Sequence, residues 1–428
     1  MGEMSLRSGE SSMSSEIRSV AVVGAGMVGL STAFFLREQG LEVTVVDRTG
    51  VASGASWGNA GWLTPSLATP LPEPAVLRYG VRAMLSPSSP VYVPVAADAN
   101  LARFMTGFLL HSTNKAWLRA MHSLIPMNDR ALDAFDHLAA NGVAEPTHEA
   151  APMVAGFARL ADAQPLYAEL EAIAEAGGHI DYELVDGSRA QKICPTLSDQ
   201  VRVAVLIRGE RFINPITYMD SLADTVREQG VRYVFGSEVT DITDEGSGVV
   251  LETTGEGGGR YDAVVVATGA WMGDLVRPFG VKKVVQAGRG YSFSVEADPM
   301  PTNPIYLPAV RVAITPLGER LRVAGMMEFR RPEAALDQRR IKAIVDSARP
   351  FLRGVDLDDR QDEWVGSRPV TTDGMPLIGA SESPRVLVAG GHGMWGITLG
   401  PITGQLLAEQ IVTGQVPSEL RPLDPLRR

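Results

Sequence analysis

Residues 19–47, SVAVVGAGMVGLSTAFFLREQGLEVTVVD, decide the fold. SVAVV is an unbroken apolar run, as expected of a parallel strand covered on both faces. The turn Gly24-Ala25-Gly26-Met27-Val28-Gly29 follows, and MVGLSTAFFLREQ then carries apolar residues at helical spacing. Gly40 is placed to end that helix in the left-handed conformation. LEVTVVD supplies a second strand and closes a βαβ unit. In such a turn the first glycine permits the bend, the second lets phosphate approach the backbone, and the third packs helix on strand. Amides and the helix dipole then face a pyrophosphate. Asp47, 23 residues after Gly24, is placed to accept hydrogen bonds from both ribose hydroxyls. A glycine fingerprint alone is weak in a chain with 44 glycines, but here strand, helix, second strand and acid occur in the required order. The expectation is a bound dinucleotide.

Bulk properties narrow the partners. A chain of 428 residues exceeds the size at which one core keeps growing, so two lobes are expected. The formal charge of -11, from 39 basic and 50 acidic residues, argues against nucleic acid as partner. Cys194 is the single cysteine, which excludes an internal disulfide and a cysteine-based zinc cluster and fits a cytoplasmic location. Residues 1–17 read as a flexible polar tail, and no apolar run is long enough to span a membrane.

Farther along, residues 99–178 read as mostly helical, with PMVAGFARL as a strand. NPITYMDSLADTVREQG starts a helix with Asn214 as N-cap and Pro215 at its first position. VVLETT and DAVVVATG read as two strands around a Gly-rich turn. From 284 to 329, YSFSVEA, VRVAIT and LRVAGMM alternate as an antiparallel sheet does, and a helix is expected from about Pro332 to Leu352. RVLVAGGHGMWGITLGPITGQLLAEQIV repeats strand, glycine turn and helix. The fold class is therefore α/β plus α+β. A discontinuous Rossmann-like domain, residues 18–80, 160–280 and 355–428, holds an inserted antiparallel-sheet substrate domain, residues 81–159 and 281–354.

The fingerprint does not by itself separate FAD from NAD. The loop Ser53 to Gly61 offers hydroxyl, amide and bare backbone from Ser56, Asn59, Ala60 and Gly61. The turn Gly390-Gly391-His392-Gly393 opens a helix whose N-terminus suits negative charge on a reduced flavin. Both features point to FAD, with Arg48 beside the ribose acid as a further contact.

At these residues the chain resembles the FAD-dependent D-amino acid dehydrogenases of the small-subunit type, within the D-amino acid oxidase, glycine oxidase and sarcosine oxidase group. The likeness extends over nearly all the chain from residue 18. It rests on VVGAGMVGLSTAFFL, the acid in VVDR, S-x-x-N-A-G at 56–61 and GRGYSFSV at 288–295. VRVAITPLGERLRVAGMMEF, GSRPVTTDGMPLIG at 366–379 and VAGGHGMWGITLGPITGQLLAE complete the set. The resemblance implies FAD held without a covalent link. It implies that Val239 meets the adenine, that Thr268 and Gly269 border the pyrophosphate, and that Gly393, Gly396, Ile397 and Thr398 face the flavin. Arg289 and Arg311 stand where relatives carry lysine.

For the substrate, Arg368 is the expected carboxylate anchor, because its planar fork binds both oxygens at once and the matching arginine of relatives makes that contact. Tyr291 and Arg289 are expected to close the site over the flavin, with core packing the alternative for Tyr291. His392 contacts flavin or substrate, or only bonds to backbone. Trp57, Trp62 and Trp395 either line a side-chain pocket or belong to the core. The implied reaction is hydride transfer from Cα to flavin N5, giving an imine that hydrolyses to a 2-oxo acid and ammonia, with no dyad of acid and base. Glycine, sarcosine, proline or hydroxyproline oxidation and a non-catalytic flavoprotein are the rival readings. The electron acceptor is a quinone or O2. The helical segment 99–119 is either a buried amphipathic helix or a patch resting on the cytoplasmic membrane face.

Overall fold

The structure, a computed structural model, describes residues 17–74, 89, 91–94 and 98–427. The tail expected at 1–17 lies, apart from Ile17, outside the described residues, as does the proposed boundary at 80–81.

The opening βαβ unit forms as the pattern dictates. Strands Ser19–Val23 and Glu42–Asp47 pair in parallel, with helix Met27–Glu38 between them. They sit inside a six-stranded sheet whose order is Arg232–Phe235, Glu42–Asp47, Ser19–Val23, Ala263–Val266, Val386–Gly390 and Leu377–Ala380. Only the last strand runs antiparallel to its neighbour. The central strands are wholly buried, which explains why they read as uninterrupted valine runs. Helix Gly396–Thr413 packs directly on Met27–Glu38. A Cβ on Gly404 would lie 2.6 Å from the Ser31 backbone carbon, so glycine is what lets these helices approach.

The second large sheet carries the strands Gln361–Thr371, Val285–Val295, Arg320–Phe329, Val312–Leu317, Ile305–Leu307, Met153–Phe157, Val203–Arg208 and Asp181–Asp186, in that order. Val91–Tyr92 adds a short ninth strand parallel to Arg320–Phe329. Most junctions are antiparallel, although Ile305–Leu307 meets Met153–Phe157 in parallel. One face is covered by helix Gln338–Ala348, whose Ile341, Ile344 and Val345 pack with Tyr291, Phe293 and Val323. Each such large apolar side chain contributes about 1.5–3 kcal/mol when fully buried. The opposite face looks toward the loop at 56–62.

Three expectations change. Strands Val203–Arg208 and Asp181–Asp186 pair within this second sheet, so grouping 160–280 with the dinucleotide segments does not hold for them. The edge strand Gln361–Thr371 likewise belongs here rather than with 355–428. Val249–Thr253 and Ala263–Val266 form as read but in different sheets: the first forms a small antiparallel sheet with Val239–Asp244 and Gly259–Tyr261, the second joins the parallel sheet. The helix expected from Pro332 begins only at Gln338, because the Asp337 side chain caps its first turn at the Arg339 amide.

Helix Ala99–His111 buries Leu101, Phe104 and Phe108 against Met327 and Phe329, and the chain breaks at Ser112 before helix Asn114–Asn128. Among the described residues no helix is long and apolar enough to cross a membrane.

Candidate active site

A cavity of about 520 Å³ opens between the carboxyl ends of the parallel strands and the second sheet. The first glycine turn forms one wall. Gly24 holds φ at +113°, and a Cβ there would lie 2.9 Å from the Ala267 carbonyl carbon. Gly29 faces away from the cavity, where a Cβ would collide with the Gly24 carbonyl, so it packs helix on turn. The Asp47 carboxylate accepts from the amides of Ala25 at 2.9 Å, Thr49 at 2.8 Å and Gly50 at 3.0 Å, which ties the turn to the second strand. Ser56 accepts from the Met27 amide at 3.2 Å, and Asn59 accepts from the Gly61 amide at 2.9 Å. Beyond Asp47, Arg48 lies 4.1 Å over the ring of Trp271, whose indole nitrogen donates to Glu333.

The second glycine turn closes the other end. Helix Gly396–Thr413 begins with no side-chain cap and no acid in its first turn, so its first amides are available to an anion or a carbonyl. Behind it the His392 ring is buried, with Nε2 2.9 Å from the Thr403 hydroxyl. Thr403 donates its own proton to the Leu399 carbonyl at 2.7 Å, so Nε2 is the protonated nitrogen and Nδ1 carries the lone pair. Burial pushes the His392 pKa down to about 4, so the ring is neutral near pH 7.

Arg368 reaches the cavity from strand Gln361–Thr371. Its guanidinium lies over Gly290, where a side chain would collide with it, and Nη1 donates to the Met326 carbonyl at 2.9 Å. Met326 occupies φ +66° at a bulge in its strand, which swings that carbonyl out of the ladder. Among the described residues Arg368 has no carboxylate partner. Burial lowers its pKa to about 10, which leaves it charged near neutrality.

Most expected cofactor residues line this cavity: Gly24, Gly26, Met27, Val28, Asp47, Arg48, Ser56, Asn59, Val239, Thr268, Gly269, Gly393, Gly396 and Ile397, together with Arg368 and His392. Ala25, Gly29, Ala60, Gly61 and Thr398 do not. The Ala60 carbonyl accepts from Thr315 at 2.7 Å, Gly61 holds φ +77° against the Ile213 carbonyl, and Thr398 donates to the Trp62 carbonyl at 3.0 Å. These five shape the walls from behind.

Neither Tyr291 nor Arg289 lines the cavity, contrary to the site-closing expectation, and the core-packing alternative for Tyr291 is the one the structure has. Alternation along Val285–Val295 puts Gly288, Gly290 and Ser292 on the cavity side and turns residues 289 and 291 to the helix-covered face. There Tyr291 donates to Glu328 at 2.5 Å, and Arg289 lies 3.3 Å from the same carboxylate, all three fully or almost fully buried. The tryptophans divide: Trp57 lies under Arg322 at 5.4 Å, whereas Trp62 meets Tyr306 edge-on and Trp395 donates to the Thr69 carbonyl. Sequence reading missed Trp271 and Pro369; only the proximity of 271 to the expected Thr268 and Gly269 contacts carried a signal.

The lining suits FAD. It combines a bare-backbone cradle backed by Asp47, a stacking ring at Trp271, an orphaned Thr268 hydroxyl and a second helix N-terminus at a distance from the first. The family model for FAD dependent oxidoreductase matches residues 19–410. D-amino acid dehydrogenase of Cereibacter sphaeroides is 29% identical over 93% of this chain and 92% of its own length. The enzyme of that name from Allorhizobium ampelinum is 27% identical over 92% and 95%. Glycine oxidase from Geobacillus kaustophilus superposes with a TM-score of 0.72 at 22% identity, covering 96% of this chain and 99% of its own. The FAD-bound L-alpha-glycerophosphate oxidase from Mycoplasma pneumoniae gives 0.69 at 16% identity over 93% and 95%. With the dinucleotide cradle, the second helix N-terminus and this match over most of its length, the chain belongs to the FAD dependent oxidoreductase family.

Proposed function

We propose that the protein oxidises a D-amino acid to an imine, which hydrolyses to a 2-oxo acid and ammonia. The observation that carries this reading is Arg368: a charged guanidinium on the cavity wall, with only the Met326 carbonyl as partner among the described residues. A planar fork so placed suits a substrate carboxylate bound through both oxygens. The names of the two dehydrogenase relatives support the choice of D-amino acids. FAD, held without a covalent link, supplies the two-electron acceptor.

The chain's own contribution is position. The cavity-lining carboxylates among the described residues are Asp47, Glu238 and Asp274. The first two are neighbours at the ribose end, where Ser237 donates to the Asp47 carbonyl, and Asp274 follows the Trp271 stack. His392 keeps an unpaired Nδ1 among the described residues, but burial lowers its pKa to about 4, too low for it to take a proton from an ammonium group. None of these supplies a base beside Arg368, so the substrate amine enters neutral and the Cα hydrogen leaves without an enzyme base. The test is anaerobic mixing with a panel of amino acids of both hands. D-amino acids are expected to bleach the flavin with a primary isotope effect from Cα deuterium. Bleaching by glycine, sarcosine or proline alone moves the substrate class, and bleaching by none makes the flavin structural. Peroxide formation in air separates O2 from a quinone as acceptor.

A further inference from the structure

About two strand spacings from the Arg368 guanidinium stands a polar cluster of Glu73, Glu169, Tyr306 and Arg311. Arg311 holds φ +52° just before strand Val312–Leu317, and its carbonyl would lie 3.2 Å from a Cβ on Gly325. Gly325 precedes Met326, whose carbonyl holds Arg368. The two guanidinium-bearing residues therefore flank one short stretch of the same strand. Tyr306 stands in register with Ala313, Ala313 with Ala324, and Ala324 with Ser292, so its ring emerges on the same sheet face as Gly290 and Arg368. The Arg368 guanidinium already reaches the strand of Met326, which leaves about two strand spacings, ~10 Å, to the strand of Tyr306. A long extended side chain spans that gap.

The cluster holds one more carboxyl group than guanidinium group. Arg311 meets both oxygens of Glu73 at 3.4 Å, and Glu169 stands beside the pair with a hydrogen bond from Thr69 at 3.1 Å. Burial, and after it the charge of Glu73, hold the Glu169 carboxyl up at about 7. Two carboxylates thus share one guanidinium. The Tyr306 hydroxyl has no hydrogen-bond partner among the described residues, and Trp62 meets its ring edge-on at 5.4 Å. A ligand cation would let Glu169 ionise beside it and would lie against an aromatic wall.

We propose that the substrate side chain extends along this sheet face to the cluster, which selects amino acids that carry an ammonium or guanidinium group there. The inference rests on the reading of the Arg368 cavity as an amino acid oxidation site. The test compares kcat/KM and anaerobic flavin reduction for lysine and arginine with norleucine, the uncharged match for lysine, each in both hands. D-lysine or D-arginine is expected to exceed D-norleucine at least tenfold. Glu169→Gln is expected to lower the value for D-lysine tenfold or more, to leave D-norleucine within about twofold and to keep full FAD content. Equal or better use of D-norleucine by the unmodified protein overturns the inference, even if the variant fails to fold, and leaves the oxidation reading standing. A parallel loss for both substrates in a flavin-loaded variant also overturns it. If no amino acid of either hand reduces the flavin, the oxidation reading itself falls and takes this one with it.

Discussion

The two glycine turns have the same local plan, strand to turn to helix, yet they are anchored to different parts of the molecule. The first, at 24–29, is held within the parallel sheet: Asp47 ties the Ala25 amide and Ala267 walls Gly24. The second, at 390–396, is tied outward. The Gly393 amide donates to the Pro369 carbonyl at 2.8 Å, next to Arg368, and His392 bridges to Val370. The first turn is therefore built into the parallel sheet alone, whereas the second joins the cofactor end of the cavity to the strand of Arg368. The contrast predicts that damage at the first turn removes the flavin, whereas loss of Arg368, beside the strand residue that the second turn holds, spares it while removing turnover.

The strongest way to break this contrast is Gly24→Val. A β-branched residue at φ +113° costs about 1–3 kcal/mol in backbone strain alone, before the collision with Ala267 is counted. The variant is expected to purify without flavin and with a lowered Tm; normal flavin content would show that the cradle tolerates a side chain. Next comes Arg368→Ala. Loss of two charged hydrogen bonds to the substrate carboxylate is worth about 3 kcal/mol or more, a hundredfold in kcat/KM, with FAD content and Tm held. An unchanged KM with full turnover would remove the anchor.

The third test leaves flavin content and turnover aside and concerns the stability contributed by His392. Its folded pKa, about 4, lies below the ordinary value near 6.5 because the ring is buried. The unfolded chain therefore binds the extra proton first, and stability is lost as pH falls from about 6.5 to about 4. Denaturant titrations should show His392→Gln losing about 3 kcal/mol less than the parent across that window, since the amide does not titrate. Parallel curves would mean that the ring is hydrated.

Much of the dinucleotide half was legible because its signals are local. Gly24 to Gly29, Asp47 and the Asn214-Pro215 helix start each follow from residues a few positions apart. The second sheet was harder to read. Strand alternation separates Gly290 from Tyr291, but which side meets the cofactor depends on helix Gln338–Ala348 covering the other face. The strands at 181–186 and 203–208 find partners only through the folded sheet. Glu73 and Arg311 lie 238 residues apart in sequence, so no spacing rule brings them together.

The trough at Gly290 bears on the entropy of substrate binding. An arginine free in water loses about 2 kcal/mol of rotamer freedom when it is fixed in one geometry. Here the guanidinium rests against bare backbone and is held by a carbonyl that the Met326 bulge presents. Its ordering is complete when the chain folds, not when the substrate arrives. In the proposed reaction a small substrate with little surface of its own would inherit its orientation from the sheet.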